Sequence, residues 1–211
     1  QDLISARRAS PRSGGEPDLL DMLIDAAREE AAITERHLAD LLIFLFVAGY
    51  DTSKNVLTYM MHLMMQHPEI YERCAEDHDY CRKVVEETLR VFNPSSAFRF
   101  TSRDVEFRGV RIPAGTMLFF NLNVSGRDPA AFEEPDAFDP DRPINPATRH
   151  VAFGMGKHMC LGQYIARAQM QEAIHLVARH LRNPRLAGDK GWRPFPGVWG
   201  IKGLPIEFEA A

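Results

Sequence analysis

Cys160 stands in a loop whose residue types suit a sulfur that binds a metal or attacks a substrate. The stretch FGMGKHMCLG, residues 153–162, surrounds it with glycines and one histidine: Gly154, Gly156, Gly162 and His158. A cysteine directly before a predicted helix meets the positive end of the helix dipole and free backbone N–H groups, and both favour the thiolate. The glycines allow a sharp turn and the close approach of a flat, bulky group. The loop therefore predicts a ligating or reactive cysteine.

Two other interpretations of the cysteine have to be weighed. A cysteine hydrolase needs a general base and an oxyanion hole. His158 could be the base, but no Asn or Asp partner for it is identifiable, and a nucleophile does not explain the glycines. A hydrolase is therefore the weaker hypothesis, and a buried structural cysteine is the remaining alternative for a bare glycine loop.

Two further segments carry polar residues at spacings that could do chemistry. The stretch VVEETLR places Glu87 and Arg90 on one helical face, where most such pairs are solvated and weak. The stretch VAGYDTS places Asp51 and Thr52 beside Gly49 within a long helical pattern. By default, a helical threonine bonds back to the preceding turn and such an aspartate is exposed.

The composition of the chain favours small-molecule chemistry. Of the 211 residues, 25 are Lys or Arg and 29 are Asp or Glu, and these charges are interspersed, so no basic stripe indicates a nucleic-acid partner. Three cysteines fit free thiols in the cytoplasm better than a disulfide framework. The longest apolar run, residues 41–48, is far shorter than the roughly 20 residues of a membrane helix. The opening QDLISARRAS has no signal-peptide core and no initiating Met, which predicts a start inside a longer protein.

The elements that must position these residues belong to a mainly α fold with small β-hairpin sheets, predicted as a single domain over residues 1–211. A short helix comes first, and one at 69–76 follows the long helix. The other predicted elements are the long helix at 34–67, a helix at 79–92, a small sheet at 97–122, an irregular stretch at 126–162, a final helix at 161–181 and a terminal hairpin at 192–209. Gly49 costs the long helix about 1 kcal/mol relative to Ala, which predicts a bend or a required absence of a side chain there.

The cysteine loop and the helix after it resemble the haem-ligand segment of cytochrome P-450 monooxygenases, F-G-x-G-x-H/R-x-C-x-G-x-x-x-A-R. Eight positions of FGMGKHMCLGQYIAR match this pattern: Phe153, Gly154, Gly156, His158, Cys160, Gly162, Ala166 and Arg167. The resemblance implies that Cys160 is the axial thiolate ligand of the iron of haem b. It also implies that Gly154 and Gly162 let the haem approach, that Phe153 packs beside the sulfur and the porphyrin, and that His158 donates to a haem propionate.

Three more segments are similar to family motifs and occur in the family's order. The resemblance identifies Glu87 and Arg90 as its E-x-x-R pair, and Arg142 in FDPDR as the third partner that locks the irregular stretch. The segment VAGYDTS is similar to the distal segment of the family, where the helix opens for dioxygen. This implies that Gly49 lies beside the haem and that Asp51 and Thr52 relay protons. Arg99 in the strand segment FRFTSR corresponds to a residue that reaches a propionate.

The resemblance runs from about residue 19 to the end of the chain and implies the C-terminal part of the cytochrome P-450 fold, with the N-terminal half of that fold absent. The implied parent is a soluble, bacterial-type monooxygenase that inserts one atom of dioxygen into a small, hydrophobic organic substrate. Its electrons would come from a ferredoxin or similar donor with an NAD(P)H-dependent reductase, and Lys157 is expected to face this acidic partner. The alternative is a truncated, non-catalytic piece, with or without haem, whose uncovered core drives self-association.

Overall fold

The computed structural model describes residues 2–12, 14–30, 32–143, 149–193 and 198–210. The chain divides into two compact units, Gln1–Tyr50 and Asp51–Ala211, whereas the sequence predicted a single domain. Each unit has its own buried apolar cluster, and the boundary falls inside the long helix. Among the described residues, no helix is long and apolar enough to cross a membrane.

The first unit contains α1 (Asp2–Ala9), α2 (Leu19–Glu29) and the beginning of α3. The side chain of Asp18 accepts a hydrogen bond from the backbone of Asp21, and Asp21 reciprocates, so that α2 begins with a capping box. Arg7 binds both carboxylates at 2.9 and 2.7 Å. α2 agrees with a helix predicted from the sequence, whereas α1 is not predicted. α1 contributes Ile4 to the buried cluster of this unit: Ile4, Leu20, Ile24 and Leu38.

The long helix α3 spans Glu35–Met64, inside the predicted range of 34–67. The hydroxyl of Thr34 accepts a hydrogen bond from the backbone of His37 at 3.2 Å, as an N-cap does. α3 is helical without a break through Gly49, so the opening of the helix at this point is not present. The cost of one glycine, about 1 kcal/mol, does not interrupt a helix of 30 residues.

The second unit is built around α4 (Pro68–Glu76), α5 (His78–Val91) and α7 (Gln163–His180). α5 was predicted at 79–92 and α7 at 161–181. Pro68 occupies the first turn of α4, and the side chain of Asp77 caps α5 by accepting a hydrogen bond from the backbone of Tyr80. The centre of the core consists of apolar side chains from α3, α5 and α7: Met60, Met64, Val84, Val85, Leu89, Met170 and Ile174. α5 is thus the central helix of this unit, and it carries the E-x-x-R pair.

Short antiparallel pairs make up the β structure, which confirms the predicted class of a mainly α fold with small hairpin sheets. The region predicted as one sheet at 97–122 forms two separate sheets. β1 (Ala97–Phe100) pairs with β4 (Met117–Phe120), and β2 (Val105–Phe107) pairs with β3 (Val110–Ile112). Arg108 and Gly109 both have positive φ, which gives the tight turn that closes the β2–β3 hairpin. The chain then enters a short helix, α6 (Leu122–Ser125).

The C-terminal strands differ from the single hairpin predicted at 192–209. β5 (Leu181–Leu186) pairs with β8 (Ile206–Ala210), and β6 (Gly191–Trp192) pairs with β7 (Ile201–Gly203). The last strand, β8, therefore pairs with β5, which directly follows α7. The sequence around β8 does not indicate this partner, because β5 is not its neighbour along the chain. Residues 194–197 of the predicted hairpin and residues 144–148 of the predicted irregular stretch lie outside the described residues.

Candidate functional site

The cysteine loop folds back on itself through backbone hydrogen bonds. Gly154 and Gly156 have φ angles of 73° and 72°, which residues with a side chain rarely adopt. The backbone N–H of Cys160 donates to the carbonyl of Phe153 at 2.8 Å, and a 3-10 turn spans Gly156–His158 between them. The two glycines thus permit the reversal that holds the cysteine next to Phe153.

The thiol of Cys160 is exposed and lies just before α7. The sequence placed the cysteine directly before the helix, but α7 begins at Gln163 with Gly162 as its N-cap. The carbonyl of Cys160 still accepts a hydrogen bond from the backbone of Gln163, at 3.4 Å. The backbone of Cys160 is therefore held at the N-terminal end of the helix, where the dipole favours negative charge.

Large apolar side chains are exposed around this thiol. Leu161 is 85% exposed and Ile165 is 66% exposed, and both lie within five residues of the cysteine along the chain. Met155 and Tyr164 are exposed to a similar extent. Exposed apolar side chains of this size, close to the cysteine along the chain, form a surface that an apolar group could cover.

The E-x-x-R pair is buried and forms two hydrogen bonds. Arg90 Nε donates to Glu87 Oε2 at 2.8 Å, and Arg90 Nη2 donates to Glu87 Oε1 at 2.7 Å. The side chains of Glu87 and Arg90 are 6% and 3% exposed. Arg142 Nε lies 3.4 Å from Glu87 Oε1, so two guanidinium groups meet one carboxylate. The sequence had named this third partner.

The same arginines hold the irregular stretch through its carbonyl groups. Arg90 donates to three of them at 2.6 to 2.7 Å: Gly126, Pro135 and Ala137. Arg142 donates to the carbonyl groups of Glu133, Glu134 and Ala137. Gly126 packs so closely that an added Cβ would lie 1.8 Å from the Arg90 carbonyl oxygen. Both guanidinium groups thus bind the backbone of the irregular stretch.

A second carboxylate of α5, Glu86, binds residues on both sides of the cysteine loop, and no sequence motif predicts this role. Arg167 Nε donates to Glu86 Oε1 at 2.5 Å, and His150 Nε2 donates to Glu86 Oε2 at 3.0 Å. Burial by itself would raise the pKa of Glu86, but the hydrogen bonds from His150 and Arg167 outweigh it and lower the pKa to about 2. Arg167 already matched the family pattern, but its partner lies 81 residues away and no local signal identifies it.

Asp51 lies on α3 in an ion-pair cluster. Its Oδ1 atom is 2.7 Å from Lys54 Nζ and 3.2 Å from Arg193 Nη1. The hydrogen bond from Lys54 lowers the pKa of Asp51 below its usual range; burial opposes this shift, and the charge of Arg193 adds to it. Thr52 is half-buried beside it in sequence. The sequence had predicted an exposed or relay carboxylate, but gave no indication of Arg193.

The remaining predicted residues lie at the surface. Arg99 on β1 is exposed and donates to the carbonyl of its neighbour Phe98 at 2.7 Å. His158 and Lys157 are exposed in the 3-10 turn. The structure thus brings Phe153, Gly154, His158, Cys160 and Gly162 together in one loop. It gathers Glu87, Arg90 and Arg142 in a second cluster and sets Asp51 in a third.

Comparison with known proteins identifies the relatives of this chain. The family pattern described as Cytochrome P450 matches residues 1–184. The chain is 34% identical to the biotin biosynthesis cytochrome P450 of Bacillus subtilis, over 99% of this chain and 51% of that protein. It is 35% identical to luteothin monooxygenase of Streptomyces thioluteus, over 90% of this chain and 48% of that protein. The chain thus spans about half the length of the curated relatives that it matches.

Solved structures show the same partial correspondence. P450BioI in complex with hexadec-9Z-enoic acid ligated acyl carrier protein superimposes with a TM-score of 0.84 at 34% identity, over 99% of this chain and 52% of that chain. The tirandamycin C-bound P450 monooxygenase TamI superimposes with a TM-score of 0.86 at 31% identity, over 99% of this chain and 52% of that chain. The architecture of the described chain is therefore that of about half of these enzymes.

Proposed function

The chain belongs to the cytochrome P450 family, and from that premise we propose that it is the haem-binding part of a monooxygenase. The reaction would insert one atom of dioxygen into a small, hydrophobic organic substrate. The observation that carries the proposal is the exposed Cys160 thiol, held by the glycine loop at the start of α7 beside uncovered apolar side chains. Relatives such as luteothin monooxygenase support the reaction class.

Haem b is the cofactor of the family, and the residues of the loop fit it. An exposed thiol suits a soft, polarisable iron ligand, and Leu161 and Ile165 offer an apolar surface to a porphyrin. The imidazole of His158 and the guanidinium of Arg99 are exposed, and we assign both as propionate donors. When bound, a haem with a thiolate ligand supplies the oxygen chemistry, because the thiolate pushes electron density onto the iron and favours O–O cleavage.

The buried cluster of α5 keeps the loop side of the site in place. Glu87 and Arg90 fix the irregular stretch that leads into the loop, and Arg142 adds a second anchor. Because both guanidinium groups donate their hydrogen bonds to carbonyl and carboxylate oxygens, we assign these residues a structural role and no direct chemical one.

Asp51 and Thr52 are assigned to proton delivery. An acid and an alcohol in succession on one helix can pass a proton from water to a reacting oxygen. Lys54 and Arg193 donate hydrogen bonds to the carboxylate of Asp51 and favour its ionised form. Gly49 lies two residues earlier on the same helix, and within the described part of the chain no other side chain approaches the position that its Cβ would take.

The electron donor would be a ferredoxin or a similar small redox protein, itself reduced by an NAD(P)H-dependent reductase. The exposed Lys157 next to the loop provides a positive charge that would steer an acidic donor toward this face. The three free thiols Cys74, Cys81 and Cys160 agree with a reducing compartment, and we propose the cytoplasm.

A second candidate function is a non-catalytic piece that associates with itself. It is favoured by the exposed apolar side chains of the first half of α3: Ile43, Phe44, Phe46 and Val47 are 58 to 72% exposed. Uncovered apolar surface of this kind drives association in water. The two candidates differ in whether the chain, loaded with haem, turns over a substrate.

The test is the absorption spectrum of the chain after haem is added, the iron reduced and carbon monoxide supplied. We expect the red-shifted Soret band of a thiolate ligand in the parent chain and its loss in Cys160→Ser. Cys81→Ser is the matched control, because Cys81 is a buried thiol on α5 that donates to the Cys74 carbonyl at 3.4 Å. A red-shifted band that survives Cys160→Ser would contradict the assignment. Product formation with a ferredoxin and its reductase would then separate the monooxygenase from the non-catalytic piece.

A further inference from the structure

We infer that Glu86, His150 and Arg167 form a positioning cluster that holds the Cys160 loop in the shape needed for ligation. The inference deepens the proposed function and rests on it, because it assigns the geometry of the same sulfur to residues outside the E-x-x-R lock. None of the three side chains is expected to touch the haem or the substrate. They act through the backbone of Ala152, which His150 contacts, and through Phe153, which Arg167 contacts.

The carboxylate of Glu86 binds residues on both sides of the cysteine loop. His150 precedes the loop and Arg167 follows it, and both donate to Glu86, at 3.0 and 2.5 Å. Arg167 Nη2 adds a second contact with Glu86 at 3.3 Å. The carboxylate therefore fixes the two ends of a segment of about sixteen residues, and fixing its ends removes loop-closure entropy that would otherwise oppose its ordered shape.

His150 connects Glu86 to the backbone where the loop begins. Its Nδ1 atom lies 3.3 Å from the backbone N–H of Ala152, which donates to it. The other ring nitrogen, Nε2, faces Glu86 Oε2 at 3.0 Å. The imidazole thus bridges the carboxylate to the backbone of Ala152.

Phe153 connects Arg167 to the backbone of Cys160. The Arg167 guanidinium lies over the ring of Phe153, 4.4 Å from its centroid, in a cation–π contact. The carbonyl of Phe153 accepts the backbone N–H of Cys160 at 2.8 Å. Arg167 Nη1 is held in turn by Gln163 Oε1 at 3.1 Å. A continuous series of contacts thus runs from Glu86 through Arg167 and Phe153 to the backbone of Cys160.

Neighbouring carboxylates of α5 consequently have separate tasks. Glu87 receives Arg90 and Arg142 and fixes the irregular stretch, whereas Glu86 receives His150 and Arg167 and fixes the cysteine loop. Loss of Glu86 should loosen the loop while the core around Glu87 stays intact. This separation makes the inference testable apart from overall stability.

The experiment compares Glu86→Gln and Arg167→Lys with the parent chain. Glu172→Gln is the control for the first, because Glu172 binds His78 at 2.8 Å on the exposed face of α7. Arg185→Lys is the control for the second, because Arg185 binds Glu207 at the surface of the β5–β8 pair. Two quantities are measured: amide hydrogen exchange in the 211-residue chain, and the fraction of haem with the red-shifted carbon monoxide band.

In Glu86→Gln we expect exchange at the Cys160 amide to become about tenfold faster while exchange at the Leu89 amide of α5 is unchanged, since the opening is local. The red-shifted fraction should fall as well, and Arg167→Lys should be intermediate because Lys keeps the charge but loses the fork. Unchanged exchange at Cys160, or equal acceleration at Cys160 and Leu89, would overturn the inference.

If Glu86→Gln did not fold, the milder Arg167→Lys would decide the question by the same two amides. Failure of the proposed function would be recognised separately, because the parent chain would then lack the red-shifted band. The exchange measurement needs no haem and tests the positioning cluster in either case.

Discussion

Arg193 lies against Asp51, with its Nη1 atom 3.2 and 3.3 Å from the two carboxylate oxygens. The residues are 142 positions apart, and Lys54 completes the cluster from the next turn of α3. The acid assigned to proton delivery is therefore held in place by two cationic side chains that favour its ionised form. Its chemistry depends on a contact that no local motif encodes.

Acid should weaken the fold through Asp51. Because its pKa is lowered in the folded chain, chiefly by the hydrogen bond from Lys54, the unfolded chain binds this proton more readily. The stabilising contribution is complete above the ordinary aspartate value of about 3.9 and is lost as the pH falls below it. We expect Asp51→Asn to reduce the fall in the free energy of unfolding between about pH 5 and pH 3. In Asp128→Asn, at an exposed aspartate outside α3, the fall should match that of the parent; an unchanged fall in Asp51→Asn would contradict this account.

Thr52→Ala should separate haem binding from productive proton delivery. The substitution removes the hydroxyl assigned to the relay but keeps a good helix former in α3, so haem binding should persist. In a complete, electron-supplied enzyme we expect reducing equivalents to be diverted to hydrogen peroxide, with product per electron falling by about tenfold or more. Thr58→Ala, on the same helix, is the control. Equal product per electron in Thr52→Ala and the parent would remove Thr52 from the relay.

The sequence predicts the candidate site best where the functional residues lie close together along the chain. The cysteine loop and the E-x-x-R pair are local patterns, and the loop even specifies its two positive-φ glycines, Gly154 and Gly156. The contacts of Glu86 with Arg167 and of Asp51 with Arg193 join distant segments, and their residue types are ordinary surface charges in the sequence. Such pairings become visible only when helices and strands are packed together.

Contacts between distant segments also explain where the predicted and the observed secondary structure differ. α1 is not predicted from the sequence because only half of its residues are apolar and only Ile4 is buried. The partner of β8 was missed because a hairpin is the default expectation for two neighbouring strands, whereas β8 pairs with β5 across the β6–β7 pair. Helices with strong apolar periodicity, such as α5 and α7, were located to within two residues.

Arg90→Ala should cost about 3 to 5 kcal/mol in the free energy of unfolding, because it leaves the buried carboxylate of Glu87 without its main partner. It also removes the donors to three carbonyl groups of the irregular stretch. Urea denaturation measures this loss. Arg111→Ala is the control, since Arg111 is 80% exposed in its pair with Asp104 and should cost less than about 1 kcal/mol. Similar losses for both variants would show that Arg90 is not a lock.

Gly49→Ala should stabilise the haem-free chain and impair the loaded one. No described atom lies within 4 Å of an added Cβ, and alanine is favoured over glycine inside a helix by up to about 1 kcal/mol. If Gly49 borders the haem as proposed, the added methyl should weaken carbon monoxide binding to the reduced chain. Ala48→Gly should shift the unfolding free energy in the opposite direction. Unweakened carbon monoxide binding in Gly49→Ala would remove this glycine from the site.

His62 should make the fold sensitive to mild acid. Its imidazole is 8% exposed on α3 and accepts a hydrogen bond from the ammonium group of Lys190. Burial, with the charge of Lys190 as a second cause, lowers the pKa of His62 in the folded chain. The unfolded chain then takes up the proton first, so stability is complete above about pH 6.5 and is lost as the pH falls below that value.

Urea denaturation at about pH 8 and about pH 5.5 measures this loss, and His62→Gln should make it smaller because glutamine does not titrate. His180→Gln, at an exposed histidine at the end of α7, should leave the loss unchanged. A loss of the same size in His62→Gln and in the parent would mean that Lys190 does not hold a neutral imidazole. Because glutamine can still accept from the Lys190 ammonium, a smaller loss in this variant reports the proton on His62 rather than a broken contact.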